Sequence, residues 1–282
     1  MRASIRDAIG RFIERDGTTH VRAFAYQSVF VVVSGFIGLV GLAGVLDWPE
    51  LRATVQEQAT SIAPGPASRL LQEAAQRGAS GSTSAAVIGL AAALTAGTLA
   101  MAQLQRSANR LCDVTDDGPA LRRYLLAFVL AGTAGVLLVV GGLVLGAGRS
   151  IATGVGLDAS AAMAWSIARW PIGLATAGAG ILVLYRVLTP GKPSGRDVFA
   201  GTLVALSLWA VFTTFLGVYL SLSSQPSRTY GPLLAVIALL LWSALTSLAL
   251  HLGIAVIAAR TRGPAERTVR VPESAQVSRR VF

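Results

Sequence analysis

One cysteine, one lysine and two histidines are spread over 282 residues, and none of the 14 acidic residues falls inside the six longest apolar stretches. Each scarcity excludes something. The lone thiol, Cys112, makes no disulfide framework and no thiolate cluster for zinc or an iron–sulfur centre. Asp113, Asp116 and Asp117 are the one carboxylate cluster, and no histidine stands near them in sequence. Asp117 before Gly118-Pro119 fits a helix start, where a carboxylate caps free N–H groups and proline tolerates the first turn. Nucleophile elbow, phosphate loop and zinc signature are all missing. The expectation is a protein that is not an enzyme, with no catalytic residue, no metal and no cofactor. Proton- and cation-coupled carriers usually keep a carboxylate inside the membrane. The lack of one argues against ion-coupled transport by that route.

What the chain has in abundance is apolar length. Charge-free runs cover 23–46, 78–105, 124–148, 170–185, 198–227 and 229–259. A bilayer core about 30 Å thick needs roughly 20 helical residues. Hydrocarbon offers no hydrogen-bond partners, so a spanning segment satisfies its own backbone as a helix. The sequence therefore predicts an all-α polytopic membrane protein. Six helices form one bundle, with spans near 24–46, 84–105, 124–148, 164–187, 198–222 and 231–259.

Arginine sets the orientation. Of the 24 basic residues, 18 lie before the first span, in the second and fourth connections and in the tail, and nine acidic residues accompany them. That puts both termini in the cytoplasm, facing anionic inner-leaflet headgroups. Membrane lipids are thus the predicted partners. Topology accounts for the pI near 11.1 without nucleic acid. The first apolar run has 24 residues and no small-x-small site before Asp47, so it reads as an uncleaved span. Residues 2–15 place Ile5, Ala8, Ile9, Phe12 and Ile13 on one helical face, as an interfacial helix or one capping the bundle from below. Residues 48–83 form an outer segment of two short amphipathic helices around Pro64-Gly65-Pro66, and 260–282 a basic, disordered cytoplasmic tail. The 23 Arg to 1 Lys, with abundant Ala and Gly, fit a GC-rich bacterial gene and a plasma-membrane location.

Small residues mark the packing surfaces: Ala85, Gly89, Ala93 and Gly97 at four-residue spacing, Gly142 with Gly146, and Gly35, Gly38, Gly41 and Gly44 drifting around the first span. The fourth run has only 16 uncharged residues, about 24 Å of helix. Either that span starts near Ala161 and draws Arg169 inward, or Arg169 snorkels to the headgroups beside Trp165 and Trp170. The first alternative makes Arg169 an outward-facing attractor of anions. His251 is the one titratable group other than arginine in a span, read as a packing residue or a proton relay.

Several short pieces together resemble the YihY/BrkB family of bacterial inner-membrane proteins, long mislabelled ribonuclease BN and also named as virulence factors. They are Ala23-Phe-Ala-Tyr26, Asn109-Arg110, Arg169-Trp170-Pro171, Leu184-Tyr185-Arg186, Gly201, Trp209, Tyr230-Gly231, and Trp242 through Leu252-Gly253, over about Arg6 to Ala259. The family's usual proline after the first-span serine is Gly35 here, and its last-span Gly-Ala-Glu reads Gly253-Ile254-Ala255. The resemblance implies fold and location more than mechanism. The candidate functional residues are Arg169, Asn109, Arg110, Tyr230, Gly231 and His251. Three functions are weighed: a carrier or flippase for amphiphilic or lipid-like envelope molecules, which is favoured; a structural or regulatory membrane protein; and, last, the ribonuclease of the old name.

Overall fold

In the computed structural model the described residues are 2–49, 51–55, 72–73, 76, 83–114, 118–146, 158–222 and 231–261. The predicted tail, most of the 48–83 segment and Tyr230 lie outside them. Among the described residues seven helices follow in order: α1 (Arg2–Glu14), α2 (Gly17–Val45), α3 (Thr83–Leu111), α4 (Ala120–Gly146), α5 (Ala159–Leu188), α6 (Gly195–Leu222) and α7 (Gly231–Thr261). Six of these, α2 to α7, are long and apolar enough to cross a membrane. Each extends past the charged residue at one end or the other of its apolar stretch, because a helix continues through an arginine or aspartate that lies at the membrane surface. The fourth span differs most from its 16-residue run. Asp158 caps α5 by accepting from the Ala161 N–H at 2.8 Å, so that helix has 30 residues and contains Pro171.

Successive helices run antiparallel and form a ring, with α7 returning to α2. Both α1 and the C-terminus of α7 lie at one end, called here the basic end. There Ala8 is buried with Ala255, Val256 and Ala259, so α1 caps the bundle through one face, while Ile9 and Ile13 on its other side stay exposed. Arg11 and Arg15 bind Asp113, tying α1 to the turn after α3.

Packing differs between the two halves. In the basic half one core draws on all six spans, through Phe24, Leu104, Leu111, Leu130, Tyr185, Val198 and Ile257 among others. Away from it the helices associate in smaller groups. From Thr83 to Ala96 of α3 only Ala86 and Gly89 are buried, against α2. From Ser160 to Ala177 of α5 only Gly173 is buried, against Leu145 and Gly141 of α4. Leu216 of α6 packs with Leu239 and Trp242 of α7 and with Val29, Val32 and Val33 of α2. The α4–α5 hairpin is therefore joined to the other four spans through a core in the basic half, and beyond it the described residues of α5 are exposed or half-buried apart from Gly173.

The α2–α3 contact is backbone on backbone. A Cβ on Gly41 would lie 2.6 Å from the Ala86 nitrogen, and one on Gly38 2.6 Å from that of Leu90. Where lipid tails are as apolar as the side chains, such close approach supplies the dispersion energy that holds helices together. The small-residue ridges divide accordingly. Gly89 serves α2, Gly97 faces Ala131 of α4, Gly35 meets nothing nearby, and a tight α4–α5 approach runs through Gly141. Gly41→Leu should thus cost about 1–3 kcal/mol by overpacking. Thermal unfolding in detergent should show a lower Tm for Gly41→Leu and no change for Gly35→Ala; equal Tm values would contradict this contact.

Candidate functional site

Arg169 is held in place by backbone. Its Nη1 donates to the Leu145 carbonyl at 3.1 Å and its Nε to that of Ser166 at 3.3 Å, with the guanidinium 5.6 Å from the Trp170 ring centroid. Leu145 lies in the last turn of α4, where carbonyls lack helical donors and a cation opposes the negative end of the helix dipole. The ten residues of α5 before Arg169 carry that helix about 15 Å past this level. Arg169 therefore sits at the far mouth of the α4–α5 pair, where it caps the end of α4. At the start of α5 the Ala161 N–H, then the Ser160 hydroxyl, hold the Asp158 carboxyl below the usual carboxylate range.

At the basic end, Asn109 is buried and its carbonyl accepts from the N–H groups of Cys112 at 3.2 Å and Val114 at 2.8 Å, closing α3. Arg110 is exposed beside His20 of α2. Gln103 links His20 to Arg106: its Nε2 lies 3.2 Å from His20 Nδ1, and its Oε1 accepts from Arg106 Nη2 at 2.7 Å. Of the carboxylate cluster, Asp113 is paired with two arginines, while Asp116 and Asp117 lie outside the described residues. No group of three metal-ligating side chains occurs among the described residues.

The other candidates lead to α7. Gly231 opens that helix, far from His251, and Tyr230 is outside the described residues. His251 is wholly buried near the opposite end of α7. Its Nδ1 lies 2.8 Å from the Ser247 carbonyl, and its ring meets Phe24 edge to face at 5.9 Å. Ser247 donates to the Val21 carbonyl at 2.9 Å, Ser243 to that of Ala25 at 2.9 Å, and Ser28 lies 2.5 Å from the Ser243 hydroxyl. Residues 243, 247 and 251 recur every four positions, so they share one face of α7 and form a polar seam against α2. On another side, Gly201 of α6 and Gly253 approach so closely that a Cβ on Gly253 would be 2.8 Å from the Gly201 carbonyl oxygen. Tyr185 of α5 enters beside them and donates to the Leu250 carbonyl at 2.7 Å.

Sequence reasoning missed Ser28, His20, Gln103, Ser243 and Ser247. The four-residue spacing on the last span was the available signal for the serines. His20 and Gln103 gave none, since only folding brings α2 and α3 together there.

Of the short pieces that carried the family resemblance, Phe24, Ala25, Tyr185, Gly201, Trp242 and Gly253 gather around this part of α7. A family model described as Virulence factor BrkB matches residues 8–276. The chain belongs to the BrkB family. Searches of the curated proteins and of the solved structures returned no match. As a BrkB family member with six apolar helices, it is a multi-pass membrane protein.

The two carbonyl bonds predict how Arg169 responds to substitution. Arg169→Lys keeps the charge but loses the planar fork, and Arg169→Gln loses both. Each hydrogen bond is worth about 0.5–1.5 kcal/mol. Both variants should accumulate in membranes at normal levels, with Tm lowered more for Gln than for Lys. A collapse of accumulation in Arg169→Lys would disagree with a capping role.

Proposed function

We propose that this chain carries or flips amphiphilic, lipid-like molecules across a bacterial plasma membrane, as a BrkB family protein with both termini in the cytoplasm. One observation supports this reading above the rest: the core shared by the α4–α5 hairpin and the other spans lies in the basic half, and beyond it the described residues of α5 are exposed or half-buried apart from Gly173. A bundle packed at one end and parted at the other offers an apolar chain a lateral way in from the bilayer, and a headgroup a way in from the far side. Exposed Leu90, Leu94, Val136 and Ile172 in that half make its surface apolar. Hydroxyls there are already satisfied, as in Thr95, which donates to the Ala91 carbonyl at 2.8 Å, so they tolerate hydrocarbon.

In this reading the partners are membrane lipids, with anionic inner-leaflet headgroups at the basic end, and not nucleic acid. The chain acts without a cofactor and is not an enzyme. Asp113, engaged by Arg11 and Arg15, gives a ribonuclease mechanism no support. A structural or regulatory role is the second reading, favoured by the ion pairs that fasten α1 across the basic face.

Two measurements test this. A reporter fused after Arg260 or within 186–197 should report cytoplasm, and one within 50–80 the outside; a cytoplasmic signal from 50–80 would sink the topology. In vesicles containing a fluorescent phospholipid and the purified chain, an impermeant quencher should bleach signal beyond the outer-leaflet share. Bleaching that stops at the protein-free level would remove the carrier reading and leave the structural one.

A further inference from the structure

Helix α1 carries two apolar rows, and the bundle uses one of them. Ala8 and Phe12 are buried, the first beside Ala255, Val256 and Ala259 of α7, the second on Gly17, where a Cβ would leave its ring no room. Ile9 and Ile13 follow them by one position each, about 100° round the helix. They are 47% and 70% exposed. The height of α1 decides what meets that row. Ala255 and Ala259 close the charge-free stretch of α7 just before Arg260, and only Arg15 and Asp16 separate α1 from the first span. The helix is therefore level with the boundary between acyl chains and headgroups, where amphipathic helices bury an apolar side. Two isoleucines fall far short of the roughly 800 Å² that each partner gives to a stable protein interface. A leaflet asks for no such area.

Two arginines of α1 are turned the other way. Arg11 Nη1 lies 3.6 Å from Asp113 Oδ2, and Arg15 pairs with Oδ1 of the same carboxylate. Asp113 stands in a left-handed turn at φ 59°, just past the end of α3. Neither pair is sealed from water, since the side chains are 21% to 48% exposed. Ion pairs with that much access to solvent hold weakly, and the attraction of an arginine to an anionic leaflet is of similar size. Exposed Arg22, Arg110, Arg122, Lys192 and Arg196 at this end draw anionic headgroups towards it. Their phosphate oxygens offer Arg11 and Arg15 the same charge-assisted bonds as the Asp113 carboxylate.

We propose that α1 is a leaflet-docked clamp whose hold on α3 is set by lipid charge. The Ile9–Ile13 row seats at the acyl-chain boundary of the leaflet at the basic end. Among zwitterionic headgroups Arg11 and Arg15 stay on Asp113, so α1 ties the end of α3 to α7. Anionic headgroups displace the carboxylate, and α1 swings away from α3 about the corner at Asp16, itself left-handed at φ 53°. What the clamp regulates rests on the carrier reading; the docking and the release do not.

Spin labels test both parts in full-length protein with Cys112→Ser, in vesicles of phosphatidylcholine alone or with phosphatidylglycerol. A label at Ile13→Cys should meet oxygen dissolved among the acyl chains and stay hidden from a water-soluble nickel chelate. One at Glu14→Cys, exposed and about 100° further round, should meet the chelate. Ile13→Cys open to the chelate, or closed to both reagents as in a protein contact, would overturn the docking. For the clamp, Gly10→Cys is paired with Leu121→Cys at the start of α4: a Cβ at position 10 meets nothing within 4 Å, and Leu121 is exposed. Their separation should lengthen when phosphatidylglycerol is added, and should be long without it in Asp113→Asn. A separation that phosphatidylglycerol leaves unchanged, with Asp113 intact, would overturn the control by lipid charge. In the lipid-movement assay phosphatidylglycerol should change the rate in wild type and not in Asp113→Asn. An equal response in both proteins overturns the regulation and leaves the carrier reading standing. A lengthened separation with no lipid movement in either upholds the clamp and ends the carrier reading.

Discussion

Helices immersed in hydrocarbon gain little from burying apolar side chains, because the lipid is equally apolar. What binds them is backbone approach and hydrogen bonds between helices, and in this chain both concentrate on the basic half of α7. There Gly253 lets α6 in at Gly201, Tyr185 reaches across from α5 to the Leu250 carbonyl, and two serines bond to carbonyls of α2. The core shared by six spans is built around this segment. The hairpin of α4 and α5 reaches α7 through Tyr185 and otherwise leans on its chain neighbours.

This concentration explains the uneven packing. Where α7 gathers the spans, apolar side chains from all of them fill one core. Beyond it, packing is local: glycine against backbone between α2 and α3, and again between α4 and α5. A bundle secured at one end can part at the other without unfolding, since little but lipid-like apolar surface separates there. Arg169 belongs to this arrangement as a fastening within the α4–α5 pair. Its donors turn to the pair's own carbonyls, so the hairpin remains a unit at its far mouth.

The polar seam is the counterpart of the missing carboxylates. Buried hydroxyls and an imidazole are tolerated inside the bundle only when fixed by partners, and here each role is dictated by a neighbour that can act in one way. Arg106 orients Gln103, Gln103 orients His20, and a carbonyl orients His251. Such chained constraints hold a tautomer in place without any charged pair in the membrane.

Apolar length and arginine placement are properties of the chain as a string, and bilayer thickness converts them directly into helices and spans. All six spans, the all-helical class and the family were therefore readable from sequence. Helix ends were not, because a charge at the membrane surface does not stop a helix; α5 runs to 30 residues around a 16-residue apolar run. Which small residues meet was decided only by rotation of one helix against another, as with Gly141 and Gly173. The same holds for His20 and Gln103, and for Arg169 and Leu145. Residues far apart in sequence acquire a shared chemistry only when tertiary packing fixes their distance, and no pattern along one helix carries that distance.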